Sequence, residues 1–222
     1  MGITRRQVGA GLLASAAVEA GVKAQPRQDQ HMEIRRLPPP WTAGGKPLSE
    51  ALMLRRSIRD YASRPLEMQV LSNLLWSAYG INRPSIDGRT APYWRHEMVI
   101  DIYAAMADGV WRYAPDRHAL LPYLAADIRS RTGRQDFVGD APLDLVYVAH
   151  GERMLDLAPA ERRLFASVDT GFIGQNVYLF CASEGLATVF RGSIDYVALK
   201  NTMLLDQEQF VTFAQTVGYP KM

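Results

Sequence analysis

The chain has 222 residues, 48% hydrophobic and 22% charged, which excludes disorder and collagen-like or coiled-rod architectures and leaves enough length to bury an ordinary core. Its formal charge of +2 comes from the first 24 residues, where Arg5, Arg6 and Lys23 stand against Glu19; the rest balances at 22 basic and 22 acidic residues. A neutral body has no long-range field for nucleic acid, and the single cysteine, Cys181, excludes an internal disulfide and a cysteine-cluster metal site.

Residues 1–24 set paired arginines ahead of an uncharged run from Gln7 to Val18 and then small residues, the layout of an export signal. The arginine pair points to the twin-arginine route, and so to a periplasmic or otherwise exported protein. The run falls short of the roughly 20 apolar residues that span a bilayer, so no stable membrane anchor is expected. Gly9-Ala10-Gly11-Leu12-Leu13-Ala14 imitates a dinucleotide fingerprint, but no strand precedes it and no βαβ unit follows. Residues 25–46 are polar and proline-rich and read as an extended linker, leaving 47–222 as one domain.

Within that domain Ser49 is placed to cap a short helix carrying Leu52, Met53 and Leu54 and ending near Ser57. Val70, Leu71, Leu74, Leu75 and Ala78 share one face of a second helix, which Gly80 stops. Ile81 to Arg95 reads as a loop. Strands follow at Met98–Tyr103 and Val110–Tyr113, with Asp108-Gly109 as the turn, and a short edge strand at Leu120–Tyr123. Leu143–Ala149 is the clearest strand, apolar throughout except for Asp144. A long helix, Ala160 to Glu184, is closed by Gly185 and carries Gly171 and Gly174 inside it. Each interior glycine costs about 1 kcal/mol relative to alanine, a sign of close approach by a neighbour. A strand at Thr188–Phe190, a small helix at Tyr196–Leu204 and a strand at Phe210–Val217 complete an α+β order without regular βαβ alternation.

The four histidines, His31, His96, His118 and His150, include no pair at metal-ligand spacing, and no Gly-x-Ser-x-Gly elbow or Walker loop occurs. Hydrolase and metalloenzyme readings therefore lack support, and no metal is expected. Two segments remain. Leu54 to Tyr61 crowds Arg55, Arg56, Arg59 and Ser57 at a helix end, a donor set suited to a phosphate and a chain of hydroxyls, or to a solvated basic face. Gly185 to Asp195 runs from helix through strand into a glycine turn at Gly192-Ser193, which either exposes backbone N–H groups or merely connects elements.

Taken in order, five fragments resemble the FMN-dependent nitroreductase superfamily over about Leu48 to Pro220. They are Arg55-Arg56-Ser57-Ile58-Arg59, Leu74 to Asn82 (LLWSAYGIN), Arg89-Thr90-Ala91-Pro92, Gly109-Val110-Trp111-Arg112-Tyr113, and Gly174 to Leu179 (GQNVYL). The nearest likeness within it is to the dehydrogenases of thiazole/oxazole-modified peptide pathways. The resemblance implies a three-layer fold with a central, mostly antiparallel sheet flanked by helices, bound FMN, and a homodimer with the flavin at its interface. Gly171 and Gly174 then serve close helix packing, either there or within one subunit. Arg55, Arg56 and Ser57 are implied to hold the FMN phosphate and ribityl chain, with Arg95 and Arg191 as further cofactor contacts. Gly192 and Ser193 are implied to direct a backbone N–H toward flavin N5, and Arg59 to lie by the pyrimidine edge. A cation 4 Å from the negative charge of a reduced flavin contributes about 4 kcal/mol at an effective dielectric of 20. Gly192, Ser193 and Arg59 thus form the expected catalytic set.

Three activities follow from the likeness. The first is reduction of a nitro-aromatic or quinone with NAD(P)H as donor. The second is a nicotinamide-independent flavin dehydrogenase or oxidase of the azoline-oxidising type, which export favours because periplasmic nicotinamide is scarce. The third is a non-catalytic flavin-binding partner subunit. Tyr93, Trp94, Arg95 and His96 depart from the small residues that the subgroup carries after Thr90-Ala91-Pro92, and either reshape a substrate pocket or pack under the loop.

Overall fold

Among residues 32–221, which the computed structural model describes, the chain forms nine strands and four helices. The export-signal reading and His31 lie outside the described residues. In chain order the elements are β1 (Arg35–Arg36), α1 (Leu48–Leu54), α2 (Met68–Tyr79), β2 (Ile81–Arg83), β3 (Gly88–Arg89), β4 (Ile100–Met106), β5 (Gly109–Ala114), β6 (Ala119–Leu124) and β7 (Leu143–His150). After them come α3 (Pro159–Glu184), β8 (Ala187–Arg191), α4 (Tyr196–Thr202) and β9 (Gln209–Gly218). Seven strands form one sheet in the order β1-β6-β5-β4-β7-β9-β8, antiparallel at every pairing, and β2 and β3 form a separate hairpin.

Strand alternation makes the layers. Ile100, Ile102 and Ala104 of β4, with Leu143, Leu145, Tyr147 and Ala149 of β7, share a core with Leu74 and Leu75 of α2 and Ile173 and Val177 of α3. The alternate residues Tyr103, Ala105, Val146 and Val148 pack instead with Leu199 and Met203 at α4. Helices therefore cover both faces of an antiparallel sheet, the expected three-layer α+β arrangement.

Several elements differ from the sequence expectation for local reasons. Pro47 precedes α1 and no side chain caps it, so Ser49 lies inside the first turn, and the helix ends at Leu54. Gly80 does end α2, but in extended rather than left-handed backbone; glycine is needed there because a Cβ would crowd the Trp76 side chain and its carbonyl oxygen. The 81–95 segment contains the β2–β3 hairpin, and β6 is not an edge, because Arg35 and Arg36 pair with Leu120 and Ala119 outside it. The proline-rich stretch is docked on α2: Ser72 Oγ donates to the Pro38 carbonyl, and Trp41 N donates to Asn73 Oδ1 at 2.9 Å.

The two interior glycines of α3 part company. A Cβ on Gly174 would sit 2.6 Å from the Phe190 ring of β8, so this glycine lets the helix lie close on the sheet within one subunit. Gly171 is exposed and a Cβ there would meet nothing within 4 Å. Accordingly, Gly174→Ala is expected to cost about 1–3 kcal/mol through overpacking. Gly171→Ala should stabilise the helix by up to about 1 kcal/mol. Urea unfolding midpoints of the two variants, moving in opposite directions, check the assignment.

Candidate functional site

β8 is the edge strand, so its outer backbone groups are open to pairing; the arginine-rich segment takes up the Thr188 carbonyl and then pairs with the stretch that follows β9. Ile58 N donates to the Thr188 carbonyl at 2.9 Å, Ala62 N donates to the Tyr219 carbonyl at 2.9 Å, and Tyr61 bridges to Pro220. Tyr178 of α3 adds a side-chain link. Its hydroxyl accepts from Phe190 N at 2.9 Å and lies 2.7 Å from Ser57 Oγ, while the Arg55 guanidinium stands 5.2 Å from the centre of its ring. Gly192 follows Phe190 by two residues, roughly 7 Å along the strand. Ser57 is therefore tied through Tyr178 to Phe190, two residues before Gly192, whereas Ile58 meets the same strand at Thr188, nearer its other end.

What they present is a set of unspent donors. Among the described residues Arg55, Arg56 and Arg59 make no ion pair, and Arg56 and Arg59 are exposed. The turn at Gly192-Ser193 is held by its carbonyls: Tyr196 Oη donates to the Gly192 oxygen at 3.2 Å and Arg134 N to the Ser193 oxygen at 3.0 Å. The N–H groups of Gly192 and Ser193 donate to no described residue. Beside the turn, Tyr196 and Phe213 line a recess of about 210 Å³ with Arg163 and Ser167, which adjoins a cleft of about 560 Å³ between α3, α4 and β9.

Two expected cofactor contacts lie elsewhere. Arg191 turns into the sheet, 3% exposed, where its guanidinium donates to Asp144 Oδ1 at 2.7 Å, to the Thr132 carbonyl and to Thr216 Oγ1. Its side chain is committed to the fold and is not a cofactor ligand within this chain. Asp144, the polar break in the β7 run, was the sequence signal of that buried cation. Arg95 is exposed on left-handed backbone (φ 44°), paired with Asp156 at 3.1 Å. Its neighbour Trp94 donates its N–H to Asp169 of α3 at 2.9 Å, and Asp169 precedes Tyr178 by nine residues, about 14 Å of helix. One chain does not bring Arg95 to Arg55 and Ser57.

Tyr93 and Trp94 are half-buried, edge-on to Tyr79 and tilted against Phe165 respectively, so these aromatics pack beneath the loop. The residues that sequence reasoning missed are Tyr178, Tyr196 and Phe213. Tyr178 and Phe213 act through partners distant in the chain, and Tyr196 through the Gly192 carbonyl four residues back, a contact that only the folded turn creates.

The nitroreductase family model matches residues 52–219, and the chain belongs to the nitroreductase family. A Methanocaldococcus jannaschii protein assigned to the nitroreductases is 32% identical over 157 residues, 66% of this chain and 78% of the relative. A solved nitroreductase-family structure from Ralstonia eutropha JMP134 is 41% identical, with a TM-score of 0.82 over 96% of this chain and 97% of that one. Two more distant structures share the fold. The NADPH:FMN oxidoreductase of Vibrio harveyi, complexed with NAD+, is 20% identical (TM-score 0.59, 79% of this chain, 69% of that one). The E. coli microcin synthetase McbBCD complex with truncated pro-MccB17 is 18% identical (TM-score 0.65, 95% and 85%).

Burial pushes the Asp169 carboxyl up to about 6, against the pull of the Trp94 N–H. The folded chain therefore holds this proton more tightly than the unfolded one, and ionisation between about pH 4 and 6 weakens the fold as pH rises. Asp169→Asn keeps an acceptor for Trp94 and removes that loss. Relative to wild type, the variant should gain stability from pH 4 to pH 7, measured by urea unfolding at both ends.

Proposed function

We propose that the chain is an FMN-dependent oxidoreductase, acting as a homodimer and exchanging hydride with a small organic substrate. The observation that carries this reading is a donor set flanking β8: the Ser57 hydroxyl held beside Phe190 by Tyr178, three guanidinium groups of the same segment without carboxylate partners, and two free backbone N–H groups in the turn that follows the strand. A phosphate is the partner such a cluster lacks, since guanidinium forks bind it bidentately. Bound FMN supplies two-electron hydride exchange at its N5. In this reading Arg55, Arg56 and Ser57 bind the phosphate and ribityl chain, and Arg59 sets positive charge near the pyrimidine edge. The Gly192-Ser193 turn offers backbone donors at the reacting edge, so the protein contributes binding, orientation and local charge. The V. harveyi oxidoreductase, named for FMN and NADPH, supports both the flavin and the nicotinamide donor.

Support for a homodimer comes from α3, where Leu164, Val168 and Phe172 recur every four residues on the exposed face, 59%, 45% and 46% accessible, with Gly171 open beside them. A second copy would cover that stripe. It would also give Arg95 the site contact that one chain denies it. Nitro-aromatic or quinone reduction is the leading activity. Dehydrogenation of an azoline-type ring without nicotinamide is the second, favoured by the Leu74–Asn82 and Arg89–Pro92 fragments and by the McbBCD likeness over nearly the whole chain.

Purified protein should be yellow, have twice the chain mass by light scattering, and lose its visible flavin band on anaerobic mixing with NADH or NADPH. A colourless protein refutes the flavin. A yellow protein that neither nucleotide bleaches removes the nicotinamide-driven activity and leaves the dehydrogenase or a non-catalytic flavin subunit. Export by the twin-arginine route belongs to the same proposal, because a non-covalent flavin is loaded before a pathway that moves folded protein. Replacing Arg5 and Arg6 by lysine should retain the protein inside the cell, and unchanged export by fractionation refutes the route.

A further inference from the structure

We propose that Tyr178 is a positioning residue that fixes the direction of the Ser57 hydroxyl, turning the serine proton toward the bound nucleotide; this rests on the flavin reading above. Hydrogen-bond direction carries the argument. The Tyr178 oxygen accepts the Phe190 N–H at 2.9 Å, so that side of the phenol is taken. A phenol has one hydrogen to give, and Ser57 Oγ at 2.7 Å, the usual O–H···O distance, is its acceptor among the described residues. The arrangement that gives the phenol hydrogen an acceptor within the chain therefore has Tyr178 donating to Ser57, which leaves the serine hydrogen to donate outward.

That matters because a lone serine hydroxyl rotates freely and can present a lone pair as readily as a proton. A phosphoryl or ribityl oxygen needs the proton, and a bond to an anionic oxygen is roughly twice as strong as a neutral one. The same ring sits under the Arg55 guanidinium at 5.2 Å, within the range of a cation–π contact. One half-buried side chain on α3 thus holds two expected phosphate ligands in place. It also ties them to the strand that leads into Gly192.

The test is a double-mutant cycle on FMN affinity, read by quenching of flavin fluorescence with Tyr178→Phe, Ser57→Ala and the double variant. Phenylalanine keeps the ring under Arg55 and removes only the hydroxyl. Tyr178→Phe should weaken FMN binding roughly tenfold, the scale of one oriented hydrogen bond. In the Ser57→Ala background the same change should have no further effect. Because Tyr178→Phe also strips the Phe190 N–H of its acceptor, a general loosening of β8 would weaken FMN equally in both backgrounds, and that result overturns the proposal. So does unchanged affinity in the single variant. Wild-type protein that leaves FMN fluorescence unaltered overturns the flavin reading itself, and is distinguished by needing no variant.

Discussion

The arrangement depends on a charge pair that solvent does not reach. Asp144 of β7 is fully buried and Arg191 of β8 nearly so, with β9 between their strands; Thr216 of β9 donates to the same Asp144 oxygen that Arg191 engages. Burial pushes the Asp144 carboxyl up to about 6, while the guanidinium and the threonine hydroxyl pull it back. Removing one partner of such a pair typically costs about 3–5 kcal/mol, because the survivor is left buried and unpaired. The pair therefore locks three strands and the Thr132 loop together. It also decides where β8 stops: with Arg191 drawn inward, Gly192 is the first residue released at the strand end.

On that fixed end the fold assembles parts from distant stretches of chain. The arginine segment arrives beside β8 through Ile58, α3 leans in through Gly174, and Tyr178 joins the two. The carbonyls of the glycine turn are occupied and its N–H groups are not. Rigidity and free donor capacity thus coexist within a few residues, which is what a preorganised anion and heterocycle site requires. The apolar stripe of α3 lies on the same helix as Tyr178, so the proposed cofactor site and the proposed subunit contact share one structural member.

Much of this was legible in the sequence, and the exceptions have physical causes. The interior of α2 was readable from its one-faced helical period, and β4, β5, β7 and β9 from short apolar runs that the fold buries on both faces. β1 and the β2–β3 hairpin were not, since strands of two or three residues carry no period and exist only through their partners. Ser49 looked like a cap, but a proline before Leu48 had already set the helix start. Ser57 and Arg55 are linked through Tyr178 to the strand that leads into Gly192, while Arg56 and Arg59 lie exposed in the same segment without an ion-pair partner among the described residues. Arg191, adjacent to that glycine, was misplaced because its role is set by Asp144, 47 residues earlier. Arg95 follows from a loop anchored on Asp169, and only the folded distance along α3 separates it from Ser57.

The docking of Ile58 on β8, and of residues 60–62 on the stretch that follows β9, has a further consequence. An unprotected edge strand is a template on which foreign chains can add, and proteins ordinarily blunt such edges with charge, bulges or a covering segment. Here the edge is covered in part by the loop that carries the arginines, through Ile58 on Thr188, and in part by Tyr178 of α3 on Phe190. Under the proposed cofactor site, ligand recognition and edge protection share this loop, so sequence drift in it is constrained by colloidal behaviour as well as by chemistry.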